Sequence, residues 1–230
     1  MGSTAIPTKS AAAALLACVL VAQFAAAQEQ LGIYRSAPPA SSVPRSLVNE
    51  TSSWDGASRL RFQALAGFSE STSLGPEADF DYELVSLRAE CVLLPDHDPA
   101  FLPQGDFTCL ADLMIADPED FGSIIVGPSI LLRKELRPST ARLIPYAQAG
   151  GGMIYTDADN RQSQRVIGRS WEFLLQAGLG CHYRVNDDWM LDLEGSYQHI
   201  SNARLAARNL GSNNVGVVVG FTREFGPIHR

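Results

Sequence analysis

A histidine and a serine two residues apart close the stretch Asp188–Asn202, DWMLDLEGSYQHISN, and their types suit nucleophilic chemistry. Neutral imidazole at His199 can take the hydroxyl proton of Ser201 and leave an oxygen that attacks an ester carbonyl. The amide of Asn202 can then donate to the oxyanion that develops. On the residues alone the plain alternative stays open: a histidine near a loop is usually solvated, and Ser-Asn is ordinary turn chemistry. Strand side chains at i and i+2 share a face but start about 7 Å apart. A hydrogen bond between this pair therefore needs a local bend or suitable rotamers.

The element that must position the pair is a strand. Trp189, Leu191, Leu193, Gly195, Tyr197, His199 and Ser201 fall on one face, and Asp192, Glu194, Ser196 and Gln198 on the other. The face that carries the pair is otherwise apolar, which points to an apolar substrate. Seven further strands are read around this one. They are Arg59–Ser69, Phe80–Leu93, Thr108–Ala116 (whose Leu-Met-Ile content also suits a helix), Ile124–Leu136, Arg142–Thr156, Trp171–Val185 and Val215–Phe225. Gly150-Gly151-Gly152 marks a bend or close packing. Asn186-Asp187-Asp188 is a tight turn. Pro95, Pro99 and Pro103 exclude a strand between the second and third segments.

Eight strands of about ten residues fit the smallest outer-membrane barrels. The fold expected is all-β, an eight-stranded antiparallel transmembrane β-barrel. With both chain ends in the periplasm, the short connections after strands four and six are inner turns, and the long ones after five and seven are outer loops. The long connection after strand two breaks that rule. In the last strand Val215, Val217, Val219, Phe221 and Phe225 would face lipid, with Val218 turned the other way. A soluble lipocalin-like barrel would put that face inside.

The N-terminus reads as a secretory signal, residues 1–27: Lys9 supplies the positive charge, Ala11–Phe24 the apolar core, and Ala25-Ala26-Ala27 the cleavage site. Leu15-Leu16-Ala17-Cys18 resembles a lipobox, but the apolar run continues past it. Residues 28–57, with Pro38, Pro39 and Pro44, form a flexible segment, and 58–230 the barrel. After residue 27 the chain has 17 basic and 25 acidic residues, which excludes nucleic acid as a partner class. Cys91 and Cys109 flank the proline-rich segment and are candidates for a disulfide, which export to an oxidising space allows. Cys181 is left over as a buried or lipid-facing hydrophobe. No metal-binding spacing is present, and His97, His182 and His229 lack partners at such spacing.

Gln198-His199-Ile200-Ser201-Asn202-Ala203, followed by Leu205, Asn209 and Gly211, resembles the signature of the outer-membrane lipid A 3-O-deacylases, the PagL family of acyloxyacyl hydrolases. The similarity takes in Leu143-Ile144-Pro145-Tyr146, the glycine-rich strand and Asn186-Asp187-Asp188-Trp189, and it fades before about residue 120. It implies an esterase that removes the 3-O-acyl chain of lipid A, with His199 as base, Ser201 as nucleophile and Asn202 in the oxyanion site. The chemistry requires no cofactor. Two positions depart from the family pattern. Arg204 stands where the family has glycine, in the oxyanion loop, and its backbone N–H remains available there. Asn213 falls on the triad acid, a Glu in the best-known members. It can orient the imidazole but not stabilise an imidazolium with a full charge. A non-catalytic barrel that binds lipid or has a structural role is the alternative these departures favour. The partners implied are lipid A or lipopolysaccharide of the outer leaflet, the membrane itself and a second copy of the chain, a homodimer. Arg204 and Arg208 are either solvated or contacts for lipid A phosphates. Asp192, Glu194, Gln176 and Glu224 read as lumen networks with Arg184 or other arginines. Trp171 and Trp189 read as interfacial belts.

Overall fold

Period-two burial runs through the strands, and it sorts the residues by polarity. The computed structural model describes residues 59–72, 80–97, 101–118, 124–160, 166–208 and 210–225. The expected signal peptide, the lipobox-like run, the flexible segment, Asn209 and His229 lie outside the described residues. The strands are β1 (Leu60–Ser71), β2 (Tyr82–His97), β3 (Gly105–Pro118), β4 (Ile125–Glu135), β5 (Leu143–Thr156), β6 (Trp171–Arg184), β7 (Trp189–Ser201) and β8 (Ser212–Phe225). Each pairs antiparallel with its sequence neighbours, and β8 returns to β1 with Leu60 opposite Phe225. The sheet is a closed eight-stranded barrel of the outer-membrane type.

Apolar side chains point outward. Leu179 is 70% exposed, Leu193 56% and Ile130 55%, a pattern suited to lipid and the reverse of a soluble barrel. Trp171 and Trp189 stand on this outer face at opposite ends of the wall. The reading of Pro95 as a strand breaker is corrected here. β2 runs through Pro95 to His97, and the pairing with β3 shifts register between Val92 and Leu94 and between Leu94 and His97. Asp96 sits at φ 41° and its N–H donates to the Asp106 carboxylate (2.8 Å). An irregularity of this kind accommodates a proline that a regular ladder would not. The helix option for the third segment also falls, because Gly105–Pro118 is continuous strand. With both strands lengthened, the connection between them shrinks to 98–104, and the short-turn rule then holds on that side. Cys91 and Cys109 are register partners on β2 and β3, with free thiols.

The interior is filled in two tiers. Near the chain ends it is charged. Arg61 meets four carboxylates: Glu224 (2.6 Å), Glu90 (3.1 Å), Glu135 (2.5 Å) and Asp106 (2.9 Å). Arg133 bonds Glu90 (2.8 Å) and lies over the Tyr146 ring (4.1 Å). Arg88 forks onto Glu194 (2.7 and 3.0 Å), and His182 Nδ1 meets Asp192 (2.5 Å). Buried charges persist only when paired and hydrogen-bonded, as these are. Towards the long loops the filling turns apolar. Leu65, Tyr82, Leu84, Met114, Ile125, Ile154, Leu174, Ile200 and Val218 form one buried cluster, capped by Val166 and Ile167 from the β5–β6 connection. The glycine triplet is a site of close packing: a Cβ on Gly150 would stand 2.0 Å from the Ile130 carbonyl oxygen.

Candidate functional site

The outward face of β7 ends at the long-loop rim in Tyr197, His199 and Ser201. Across the ladder His199 faces Asn213 on β8, and Ser201 faces Phe173 on β6. His199 Nδ1 lies 2.8 Å from Asn213 Oδ1. An amide oxygen only accepts, so Nδ1 carries a proton, and in the neutral ring Nε2 is then the nitrogen with the free lone pair. The same oxygen accepts from the Tyr197 hydroxyl at 2.7 Å. Asn213 is itself pinned through its carbonyl, which accepts from the Thr72 N–H (2.7 Å) and hydroxyl (3.0 Å).

Ser201 and the imidazole share a small volume beside Gly211. A Cβ on Gly211 would lie 3.4 Å from Ser201 Cβ, 3.7 Å from His199 Cε1 and 2.8 Å from the Ile200 carbonyl oxygen. Gly211 also takes φ +71°, a conformation that disfavours any side chain. The motif glycine thus keeps open the space beside Ser201 and the His199 ring.

Beyond Ser201 the chain reverses tightly. Ala203 (φ 51°) and Arg204 (φ 66°) are both left-handed, and the Leu205 N–H closes the turn onto Asn202 O (2.9 Å). Two central residues at positive φ are the mark of a I′ turn. Arg204 therefore adopts the backbone conformation that glycine would take more readily, and no compensating reshaping of the turn is needed.

Asn202 points the other way. Its side chain is buried, and Nδ2 donates to the Arg208 carbonyl (2.8 Å) and lies 3.4 Å from Glu172 Oε1. Glu172 Oε1 also accepts the N–H groups of Gly168 (2.9 Å) and Arg169 (3.0 Å). Arg208 donates to Asp159 O (2.7 Å), and the Gly211 N–H to Val166 O (3.3 Å). These bonds tie the β5–β6 and β7–β8 loops into one rim. Gly168 permits the contact, since a Cβ there would stand 1.9 Å from Arg208 O.

The structure thus joins His199 to Asn213 on the outer face, with Ser201 on that same face one pleat further along β7. It sets the Asn202 amide inside, and leaves Arg204 exposed on the turn. Glu194, Glu224, Asp192 and Gln176 sit in the interior network, as strand parity requires. Sequence reasoning passed over Tyr197, Glu172 and Gly168. Tyr197 was within reach, because parity puts it beside His199. The partners of Glu172 are loop N–H groups, for which no spacing pattern exists.

A groove of about 400 Å³ opens beside this rim, lined by Met153, Trp171, Phe173, Leu205, Arg169 and Asn202 among others. Phe173, the register partner of Ser201, joins the groove to that residue.

A family profile described as "Lipid A 3-O-deacylase (PagL)" matches residues 106–222, just over half of the chain. No curated protein sequence matches it. Solved structures similar in fold include Neisserial surface protein A (13% identity, 73% of this chain and 97% of that one, TM-score 0.50). Two others are the outer membrane enzyme PagL (18%, 73% and 99%, TM-score 0.48) and the N-terminal β-barrel domain of Pseudomonas aeruginosa OprF (16%, 71% and 96%, TM-score 0.44).

Proposed function

Because the chain belongs to the lipid A 3-O-deacylase (PagL) family, an outer-membrane barrel family, we propose that it hydrolyses the ester-linked 3-O-acyl chain of lipid A through Ser201 and His199. The observation that carries this reading is the 2.8 Å contact from His199 Nδ1 to Asn213 Oδ1, which makes Nε2 the basic nitrogen of the neutral ring, on the face that bears Ser201. Ser201 Oγ attacks the acyl carbonyl carbon as its proton passes to His199 Nε2. Collapse of the tetrahedral intermediate breaks the bond to the sugar oxygen, which takes that proton from His199. Water then attacks the acyl-serine with His199 again as base, releasing the fatty acid and restoring the serine hydroxyl. Backbone N–H groups of the 202–204 turn, that of Arg204 among them, hold the oxyanion. The Asn202 side chain fixes that turn from within. The groove beside Phe173 receives the acyl chain, and Arg169 in its lining and Arg204 on the exposed turn meet lipid A phosphates.

The proposed precursor carries a signal peptide at 1–27 and a flexible segment at 28–57. The test is incubation of the purified protein with lipid A, followed by mass spectrometry. Loss of one 3-hydroxyacyl chain is expected with the wild type and no loss with Ser201→Ala. A non-catalytic barrel is the second reading, and the neutral Asn213 in the acid position favours it. No loss with the wild type, or equal loss with Ser201→Ala, would establish it instead.

A further inference from the structure

The other end of the barrel wall carries a cation that the interior networks do not explain. Arg223 belongs to the outward face of β8, two residues from the strand's last residue, Phe225. Its guanidinium lies 4.7 Å from the centre of the Phe225 ring and 5.4 Å from that of Trp189. Trp189 is its register partner on β7 and Phe62 its partner on β1. The interior arginines Arg59, Arg61, Arg88 and Arg133 each meet a carboxylate. Among the described residues Arg223 meets none, and its Nε is buried without a hydrogen-bond partner. Ring faces attract a guanidinium but leave its in-plane N–H groups undirected. In lipid those donors need an acceptor.

A depression in the wall adjoins it. Ala64, Ala89 and Ala111 face outward where their neighbours are Phe62, Leu87 and Phe221. The missing side-chain volume leaves a groove of about 520 Å³ that is apolar along its length and has Arg223 and Trp189 among its lining. This is the end that holds the short connections, the periplasmic end in barrels of this class. A groove for a hydrocarbon chain beside one anchored cation matches an amphiphile with a phosphodiester and no compensating ammonium.

We propose that this groove binds an anionic glycerophospholipid of the periplasmic leaflet. The Arg223 guanidinium donates to the phosphodiester, and one acyl chain lies over the three alanines. The site is separate from the catalytic rim and does not depend on the proposed reaction.

The test uses Trp189 as a reporter. The full chain, with Trp54→Phe and Trp171→Phe, is reconstituted in phosphatidylcholine vesicles that contain a minor fraction of brominated phosphatidylglycerol or of brominated phosphatidylcholine. Brominated phosphatidylglycerol is expected to quench Trp189 severalfold more than its mole fraction dictates, and brominated phosphatidylcholine only in proportion. Arg223→Gln should abolish the difference. Ala89→Phe, which fills the groove and leaves Arg223 in place, should reduce it. A heat-dependent gel shift verifies that each variant is folded. Equal quenching by the two lipids, or a preference that survives Arg223→Gln, would overturn the proposal.

Discussion

Asn213 and His199 stand directly opposite each other on the last two strands, with Oδ1 2.8 Å from Nδ1. The β7–β8 ladder therefore also decides which imidazole nitrogen meets the amide oxygen. What a neutral amide cannot supply is charge against the imidazolium that the proposed reaction would form. Asn213→Asp keeps the geometry and adds that charge. A charge-assisted hydrogen bond exceeds a neutral one by roughly 1 kcal/mol or more, so kcat is expected to rise about tenfold. Time courses of lipid A deacylation would show it, and a fall in kcat would count against Asn213 as the support for His199.

Tyr197→Phe removes the second bond to Asn213 Oδ1 and none of the groups that handle protons. A few-fold drop in kcat with unchanged KM is expected, consistent with the loss of one exposed hydrogen bond worth about 1 kcal/mol. Unchanged kcat would mean that Thr72 and the ladder alone hold the amide.

Arg204 holds φ 66° without being glycine, at a cost of about 1 kcal/mol. Arg204→Gly should raise stability by about that amount in urea unfolding from bilayers. Turnover of a short neutral ester should be retained. Weaker turnover of lipid A alone would mark the arginine as a phosphate contact.

Gly211→Ala forces a methyl group to within 2.8 Å of the Ile200 carbonyl and close to both reacting groups. Activity is expected to fall at least about tenfold, since small displacements at a reacting centre are costly. The stability loss should be about 2–5 kcal/mol, from the positive-φ penalty of about 1–2 kcal/mol and an overpacking clash of about 1–3 kcal/mol. A loss of activity matched by unfolding in the gel-shift assay would contradict this assignment.

Glu172→Ala deprives the Gly168 and Arg169 N–H groups of their acceptor, whereas Glu172→Gln keeps one. The alanine variant should lose kcat by about an order of magnitude, as the half-buried Gly168 N–H loses an acceptor worth about 1–3 kcal/mol. The glutamine variant should recover most of it. Equal losses would show that the negative charge matters and not the acceptor.

Strand seven was legible residue for residue. Its start is set by the Asn186 side chain, which accepts the N–H groups of Asp188 and Trp189 (3.0 and 2.9 Å), and its alternation is unbroken to Ser201. The support of His199 by Asn213 was also within reach, because it follows from the family alignment and from antiparallel pairing. The β2–β3 junction was not legible, since a bulge and an aspartate at positive φ carry the strand past a proline that normally ends one. Nor was the orientation of Asn202. Strand parity alone sends it inward, while the resemblance placed it with the oxyanion. Its partner Arg208 O belongs to the irregular backbone after the turn, where no periodicity operates.

The two-tier filling of the barrel has a bearing on traffic. Salt bridges occupy one half of the described interior and packed hydrocarbon the other. His199 and Ser201, on the outward face of β7, turn away from this filled interior. The proposed reaction would accordingly draw its water from the external medium, take lipid A sideways from its leaflet and release the fatty acid by that same lateral route.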